Sequence, residues 1–439
     1  MSLLRPDLPK VNAKNTLTSY FPIRTKDRSD IFDWDTVLGH VVKFTYRKTI
    51  QSESIDEFKE QCKKRFIAKL DEDALWPVLE AMYFNGEELY NISPELLLFK
   101  AHKQKGTSSS ARLGELFLNL LQDFALTEKP ETKLNFIEQE ISNAFENFVI
   151  QGKNKGTVVS ESKEAPYLPF LSKLFQEDLA FLNTKPKYLL NSFKDFIRLY
   201  SFLYTAQLSI SLTEWKGGEP KSKACYFIMD NEKASDERSW VKNCGYTQLH
   251  NAFDKIFPYL SASESLQDPN KKKKPLWFLA QEIENSSVNI DLLNQYVNAF
   301  KEDRKLSTNI HDAESTLDAI QNLLTLAIDQ FSRHESRHEI NVQYAKTTEA
   351  ELCGHFIQSR GRAGRVLVFN QDYIVLLTNL AIGQHRDKLR FHQLMNAFEE
   401  RGVYFDKQSQ QVLIEFYERI GNVVRMSDSG DAVYVRKTI

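Results

Sequence analysis

Apolar residues recur every third or fourth position over most of the chain, which is the spacing of helices with one buried face. The clearest stripe in the first 150 residues comprises Leu113, Leu116, Phe117, Leu120, Leu121 and Phe124. A second long amphipathic helix is predicted from Thr308 to Phe331. Ser93 followed by Pro94 marks another helix start, because proline suits the first helical position. The pattern therefore predicts a mainly α-helical, multi-lobed protein.

Interruptions of this pattern suggest a division into domains. Residues 151–165, QGKNKGTVVSESKEA, have no apolar period and are mostly linker-type residues. They predict a linker between an N-terminal helical domain, 1–150, and a central helical domain, 166–345. Within the central domain, the apolar run KACYFIMD at 223–230 predicts one buried strand. The first ~35 residues are polar and contain several prolines, so we expect them to form an arm on the surface.

The last 80 residues, 360–439, follow a different order. Asn370 and Asp406 are suited to cap helices, and Gly383 and Gly421 are suited to end them. These signals delimit three short amphipathic helices, of which the second follows the turn QHRD and buries Leu389, Leu394, Met395 and Phe398. Two valine-rich runs around a Ser-Asp-Ser-Gly turn then predict a β-hairpin. Three helices followed by a hairpin is the order of a winged helix-turn-helix. We therefore expect a C-terminal winged-helix domain.

A winged helix can place its third helix in the major groove of DNA and its hairpin along the phosphates. The predicted DNA-binding residues lie on those two elements: Lys407, Gln408, Gln411, Arg425, Arg436 and Lys437. Glutamine can form two hydrogen bonds with adenine, and lysine can contact guanine or phosphate. However, Glu415 and Glu418 on the same helix disfavour deep insertion. Docking to another protein is the alternative role for this domain.

Charge and cysteine content limit the classes of function. The chain carries 57 Lys and Arg against 59 Asp and Glu, so nucleic-acid affinity must come from a local patch. The segment 354–439, with 12 basic and 9 acidic residues, is mildly basic. Four widely spaced cysteines without a CxxC pair are typical of a reduced cytoplasmic protein. Because we find neither a signal peptide nor an apolar run of bilayer length, we expect no membrane association.

Several short motifs suggest chemistry without supplying its full requirements. HESRH at 334–338 matches the H-E-x-x-H motif of zinc-binding helices. However, Arg333 and Arg337 would flank the metal, and no third ligand stands out. Lys271–Lys274 predicts a solvated loop, with contact to phosphate as the alternative. No segment has the spacing of a nucleotide-binding P-loop. We therefore predict no cofactor, no bound metal and no catalytic residue.

One alternative reading is enzymatic. Asp230, Glu232 and Lys233 follow the predicted strand, as the acidic residues and lysine of a metal-dependent nuclease would. A solvated polar surface is the simpler interpretation of these residues. The nuclease hypothesis is nevertheless kept, beside that of a pure scaffold whose winged helix binds only protein.

Longer stretches resemble a known family. They are YLPFLSKLFQEDLAFL, FLYTAQL, FIMDNEKAS, RGRAGRVLVFNQDYIVLLTNLAIG, KLRFHQL and FDKQSQQVLIEFYERIGNVVRMSDSGDAVYVRKT. Together they resemble the DptG family, also called DndG, of DNA phosphorothioation-dependent restriction proteins. The resemblance covers residues 166–439 and is strongest after Arg360.

The resemblance implies a subunit of a bacterial defence complex that restricts DNA lacking phosphorothioate sulfur. Its partners would be DptF (DndF), which looks like a nucleotide-hydrolysing subunit, and the helicase-like DptH (DndH). No catalytic residue is carried over by the resemblance. The leading hypothesis is therefore a non-catalytic subunit that bridges these partners and contacts duplex DNA through its winged helix.

Overall fold

The computed structural model describes residues 3–52, 54–69, 75–102, 108–126, 133–151, 161–234, 238–286, 289–425 and 433–439. These residues are mainly α-helical, which confirms the fold class predicted from the periodicity. None of the described helices combines the length and the apolar character that crossing a bilayer requires.

The helices are α1 (Trp34–Tyr46), α2 (Ile55–Ile67), α3 (Trp76–Tyr83), α4 (Ser108–Leu121), α5 (Phe136–Phe148), α6 (Pro169–Asn183), α7 (Pro186–Ser211), α8 (Ser239–Val241), α9 (Thr247–Leu266), α10 (Leu276–Glu284), α11 (Ile290–Arg304), α12 (Thr316–Asp329), α13 (His338–Thr348), α14 (Gln371–Ile382), α15 (Phe391–Glu399) and α16 (Lys407–Arg419). The strands are β1 (Lys48–Ile50), β2 (Val149–Gln151), β3 (Cys225–Met229), β4 (Ile357–Ser359), β5 (Arg365–Phe369), β6 (Lys388–Arg390), β7 (Val403–Phe405), β8 (Val423–Arg425) and β9 (Val433–Arg436). Short 3₁₀ segments include Pro94–His102, which begins at the predicted proline, and Leu212–Gly217.

The described residues form two compact units. One unit combines Met1–Ile31, Lys163–Leu174 and Arg198–Thr438, and the other contains Phe32–Ser162 and Phe175–Ile197. One division, after Ser162, falls within the predicted linker, but the others fall after Ile31 and inside α6 and α7, where no change of composition marks them. The bounds of the units therefore differ from those of the predicted domains. Residues 152–160 of the predicted linker lie outside the described residues.

The end of the predicted linker belongs to the first unit. The backbone amide of Ala165 donates to the carbonyl of Lys273, and the amide of Lys273 donates to the carbonyl of Lys163. A polar composition is common to solvated linkers and to polar segments whose backbone forms hydrogen bonds with the rest of the protein. Composition alone therefore could not distinguish the two here.

The second unit has a core rich in phenylalanine. The rings of Phe58, Phe99, Phe145 and Phe148 contact one another, with centroids 5.2–5.8 Å apart. They come from α2, the 3₁₀ segment and α5, so one aromatic cluster joins elements that are distant in the sequence. β1 and β2 pair antiparallel in the same unit.

In the first unit, the N-terminal segment is not the surface arm that its composition predicts. Tyr20, Phe21 and Ile23 are buried. The carboxylate of Glu264 accepts hydrogen bonds from the amides and hydroxyls of Thr18 and Ser19. The prediction was wrong because a few apolar anchors, with backbone groups bonded to side chains of distant helices, are enough to bury an irregular segment.

A four-stranded sheet in the order β4-β5-β3-β7 lies in the first unit. The predicted strand within 223–230 is confirmed as β3, which pairs parallel with β5 and with β7. β3 comes from the predicted central domain, whereas β5 and β7 come from the predicted winged-helix domain. These two segments therefore share one sheet, a pairing between residues more than 130 positions apart.

The last part of the chain contains α14, α15 and α16, followed by β8 and β9, which pair antiparallel. The side chains of Asn370 and Asp406 accept hydrogen bonds from the backbone amides of Tyr373 and Ser409, respectively, as predicted for helix caps. Residues 426–432, which contain the predicted turn between β8 and β9, lie outside the described residues. β6, between α14 and α15, adds a third strand in the order β6-β9-β8.

Candidate nucleic-acid interface

One face of the β6-β9-β8 sheet is basic and aromatic. Directly opposed residues of antiparallel strands point to the same side. Lys388 is opposite Arg436, and Arg390 is opposite Tyr434, so these four side chains share one face, which we call the basic face. Leu389 points to the other side and is buried.

A tyrosine holds two of these cations in place. Arg390 Nε donates a hydrogen bond to Tyr434 Oη at 2.9 Å. Lys388 Nζ lies 5.1 Å and Arg390 Cζ 5.7 Å from the centroid of the Tyr434 ring, within the range of cation–π attraction. Arg390 and Arg436 are exposed. The arrangement presents cationic donors of the kind that bind phosphate oxygens.

The predicted residues of α16 lie on its exposed side. Lys407, Gln408 and Gln411 are all exposed. Gln411 Nε2 donates to the carboxylate of Glu415 at 3.3 Å, so a contact with a base would have to replace that hydrogen bond. The opposite side of the helix carries Ser409, which is fully buried.

The three predicted residues at the end of the chain have different environments. Arg436 lies on the basic face. The side chain of Arg425 lies outside the described residues. Lys437 Nζ donates to the carbonyl of Gly383 at 3.2 Å and lies 3.6 Å from the carboxylate of Asp387, and its side chain is only 12% exposed. The ammonium group of Lys437 therefore already has a hydrogen-bond acceptor and an acidic partner within the protein.

Sequence reasoning missed Lys388, Arg390 and Tyr434. The stretch KLR was included in the second helix, whereas it forms β6. The polar, apolar, polar alternation of these three residues is the signal of a strand, but three residues are too few to distinguish it from the start of a helix.

Of the three residues of the nuclease hypothesis, Glu232 lies in a buried ion-pair network, whereas Asp230 is half-buried and Lys233 is exposed. The carboxylate of Glu232 accepts hydrogen bonds from Arg238 at 2.7 Å, from the amide of Met229 at 2.7 Å and from the hydroxyl of Ser409 at 3.0 Å. Arg238 also donates to both carboxylate oxygens of Asp406, at 2.5 and 2.8 Å. We call Glu232, Arg238, Asp406 and Ser409 the Arg238 network. In it, Glu232 is a partner of an arginine rather than an open ligand.

Asp406 links this network to the start of α16. Burial alone would raise the pKa of its carboxyl group, but the hydrogen bonds from Arg238 and Ser409 outweigh burial and hold that pKa below its usual range. The loop after β3 is thus fastened to the first turn of α16 by charge-assisted hydrogen bonds. This function is structural.

The HESRH motif does not form a zinc-binding helix face. α12 ends at Asp329, earlier than predicted, and His334 lies in the turn that follows. His338 is the first residue of α13, and its Nδ1 lies 3.0 Å from the carbonyl of Phe331. Among the described residues, no three His, Cys, Asp or Glu side chains are grouped as a metal site requires.

The lysine run 271–274, for which the sequence predicts a solvated loop, is in part packed against the protein. Lys273 Nζ lies 3.2 Å from the carbonyl of Asp268, and burial lowers the pKa of Lys273. Lys274 Nζ lies 4.6 Å from the centroid of the Phe278 ring. At least these two lysines make contacts within the protein.

Another polar cluster joins two π-helical turns, Lys242–Tyr246 and Glu349–Cys353. The carboxylate of Glu349 is bonded to the hydroxyl of Tyr246 at 3.0 Å and to Nδ1 of His250 at 2.8 Å, and Arg365 donates to its other oxygen. Burial and the hydrogen bond to Glu349 raise the pKa of Tyr246 to about 12. The groups of this cluster satisfy one another, which fits a structural clamp.

Comparison with known proteins does not identify the chain: no protein-family model and no curated protein matches it. The resemblance to the DptG family therefore rests on the sequence stretches given above, and it stays a prediction.

Proposed function

We propose that α14, α15 and α16, with β6, β8 and β9, form a winged helix that binds duplex DNA. The element order supports this proposal, since β6 lies between the first two helices and pairs with the last strand. The observation that carries it is the basic face, where Lys388, Arg390 and Arg436 surround Tyr434 without an acidic residue among the four. Such a face suits the phosphate backbone.

In this proposal, the two parts of the domain have different tasks. The basic face contacts phosphates, which orients the protein but carries little sequence information. Gln408 and Gln411, on the exposed side of α16, contact base edges in the major groove. Because the segment 354–439 is only mildly basic, we expect modest affinity with roughly 3–5 phosphate contacts.

The resemblance extends the proposal to a cellular role. A member of the DptG family would be a non-catalytic, cytoplasmic subunit of an antiviral restriction complex that bridges DptF and DptH. The engagement of Glu232 by Arg238 and Ser409 favours this role over that of a nuclease. Co-purification of the three subunits, with and without DNA, tests it. Failure of this chain to join DptF and DptH would contradict the bridging role and leave the DNA-binding proposal to its own test.

The salt dependence of DNA binding tests the basic face. Each phosphate contact contributes about 0.9 to the slope of log K against log salt concentration. The triple change Lys388→Ala, Arg390→Ala and Arg436→Ala should reduce the magnitude of that slope by roughly 2–3. Fluorescence anisotropy with a labelled duplex between 50 and 200 mM salt measures it.

A charge-matched control separates local contact from net charge. Lys10, Lys14 and Lys346 are exposed and lie outside the proposed domain. Changing these three to alanine removes the same total charge and should leave the slope unchanged. Equal slopes for the wild type and the basic-face variant would remove this face from the DNA interface, and the winged helix would then be assigned to protein docking.

Base contacts are tested separately. Gln408→Ala and Gln411→Ala should each reduce discrimination between preferred and other duplexes by about 1–3 kcal/mol if the glutamine makes a bidentate contact. Gln358→Ala, at an exposed position on β4, is the control. Competition binding with a randomised duplex library gives the preference. A preference that survives both changes would exclude these glutamines from base recognition.

A further inference from the structure

The connection between β4 and β5 contains three arginines in the sequence RGRAGR, residues 360–365, which we call the arginine turn. The backbone amide of Arg360 donates to the carbonyl of Gly364 at 2.7 Å, and the amide of Gly364 donates to the carbonyl of Gly361 at 3.2 Å. Gly361 and Gly364 have φ angles of +57° and +76°, which residues with side chains rarely adopt. Hydrogen bonds and two glycines therefore fix the shape of this turn.

The first and the last of the three arginines are bound within the protein. Arg360 Nη2 donates to the backbone carbonyl of Asp230 at 2.7 Å. Arg365 donates to the carboxylate of Glu349 and to the hydroxyl of Tyr246, and its Cζ lies 4.9 Å from the centroid of the Tyr246 ring. These contacts anchor both ends of the turn.

The middle arginine, Arg362, is different. It is exposed, and it makes no hydrogen bond, ion pair or ring contact with any residue that the structure describes. The next residue, Ala363, is buried, so the backbone beside Arg362 is packed against the protein. A side chain on a fixed backbone loses less conformational freedom on binding than one on a mobile loop. The turn therefore presents one cation that is already positioned.

Local charge restricts the partner of Arg362 to an anion. Residues 352–371 contain the three arginines and no aspartate or glutamate. Glu349, which contacts the turn, pairs with Arg365. Guanidinium groups bind phosphate and carboxylate oxygens through charge-assisted hydrogen bonds. A phosphate and an acidic protein surface are therefore the two kinds of partner to consider.

The connection to the proposed winged helix favours phosphate. β5 ends at Phe369 and α14 begins at Gln371, so a single residue separates the hairpin from the first helix of that domain. The five residues of β5 extend roughly 3.3 Å each, which places the turn about 17 Å from the start of α14. Each strand of a duplex carries a phosphate about every 3.4 Å along its axis.

We propose that Arg362 contacts a phosphate of duplex DNA, as an anchor outside the winged helix. This inference rests on the proposed DNA-binding function, which supplies the phosphates. Lys388, Arg390 and Arg436 of the basic face provide at most three of the roughly 3–5 phosphate contacts expected, and Arg362 provides a further one. A contact with phosphate orients the protein on DNA and carries no sequence information.

Anisotropy titrations of the full chain with a labelled duplex, between 50 and 200 mM salt, test this contact. Arg362→Ala should reduce the magnitude of the slope of log K against log salt by about 0.9, the contribution of one phosphate. Arg362→Lys should retain the slope, because lysine also contacts phosphate. Lys346→Ala removes an exposed cation from α13 in the same unit and should leave the slope unchanged. Since Arg362 has no described partner, its variants should keep the wild-type Tm.

Combination with the basic-face changes separates this contact from the winged helix. A reduction of about 0.9 from Arg362→Ala, both in the wild type and in the basic-face variant, would support two independent contacts. A reduction from Arg362→Ala alone would support the arginine turn and contradict the role of the basic face.

Equal slopes for the wild type and Arg362→Ala, with a reduced slope for the basic-face variant, would overturn the contact and leave the winged-helix proposal standing. The arginine turn would then be assigned to an acidic surface of a partner protein. Absence of duplex binding by the wild type would overturn both proposals.

Discussion

The Arg238 network and the basic face both belong to the first unit, but they use arginine in opposite ways. Arg238 is buried and donates to two carboxylates, those of Glu232 and Asp406. Arg390 is exposed, and its hydrogen bond is to the neutral hydroxyl of Tyr434. Where acidic groups balance a cation, the pair fixes the fold. Where a tyrosine orients the cation, as Tyr434 does for Arg390, the charge can still attract an anion.

Lys437 shows why the distinction needs a structure. In the sequence it stands beside Arg436, and both have the same apparent role at the end of the predicted hairpin. In the fold, Lys437 Nζ meets the carbonyl of Gly383 and the carboxylate of Asp387, whereas Arg436 lies opposite Lys388. Neighbouring residues of a strand point to opposite sides, so adjacent cations need not share a function.

The largest expected effect concerns the buried side of this comparison. Arg238→Met leaves the carboxylate of Glu232, 2% exposed, without its charged partner. Removing one member of a buried pair costs about 3–5 kcal/mol, so the free energy of unfolding should fall by that amount in urea denaturation. Arg436→Met should leave the unfolding free energy unchanged, because that side chain is exposed.

A second change distinguishes the lost ion pair from lost packing. Combining Arg238→Met with Glu232→Gln removes the more deeply buried of the two carboxylate charges that lose their partner, and it should recover part of the stability. A loss below about 1 kcal/mol in the single variant would mean that water reaches Glu232, and the network could then no longer be regarded as a buried clamp.

Local features of this region were predictable, and distant pairings were not. The capping residues Asn370 and Asp406 follow from rules that involve only three or four consecutive residues. The parallel pairing of β3 with β5 and β7 depends on chain closure over more than 130 residues, for which the sequence has no local signal. For the same reason, the partnership of Arg238 with Asp406 could not be predicted.

The candidate interface was predictable in part. The exposure of Lys407 and Gln408 followed from the apolar face of their helix, since a 3.6-residue period fixes which side is buried. The contribution of Lys388 and Arg390 depends on β6 pairing with β9, and three residues are too short a strand for its alternation to be decisive. A prediction of function from charge therefore needs the strand register.

A smaller effect is expected from acid. Because the pKa of Asp406 is lowered in the folded protein, its contribution to stability is present above the unfolded-state pKa near 4 and is lost as the pH falls through the folded-state pKa. Asp406→Asn should thus be less stable than the wild type at pH 6, with a difference that shrinks below pH 4. Asparagine also caps helices well, so the change removes charge without removing the cap.

Unfolding free energies measured by urea denaturation between pH 2 and 6 give this difference. The effect should be smaller than that of Arg238→Met, because Glu232 still pairs with Arg238 in the variant. A difference that stays constant down to pH 2 would show that the charge of Asp406 contributes nothing, and that the network depends on neutral hydrogen bonds.

The smallest effect separates the two adjacent cations. Arg436→Ala should reduce the magnitude of the salt slope of DNA binding by about 0.9, the contribution of one phosphate contact. Lys437→Ala should leave the slope unchanged, because its ammonium group is bonded to Gly383 and Asp387 within the protein. Anisotropy titrations at four or more salt concentrations resolve a difference of this size. If Lys437→Ala changed the slope as much as Arg436→Ala, then Lys437 would leave Asp387 when DNA binds. An ion pair within the free protein would then not be enough to exclude a cation from the DNA interface.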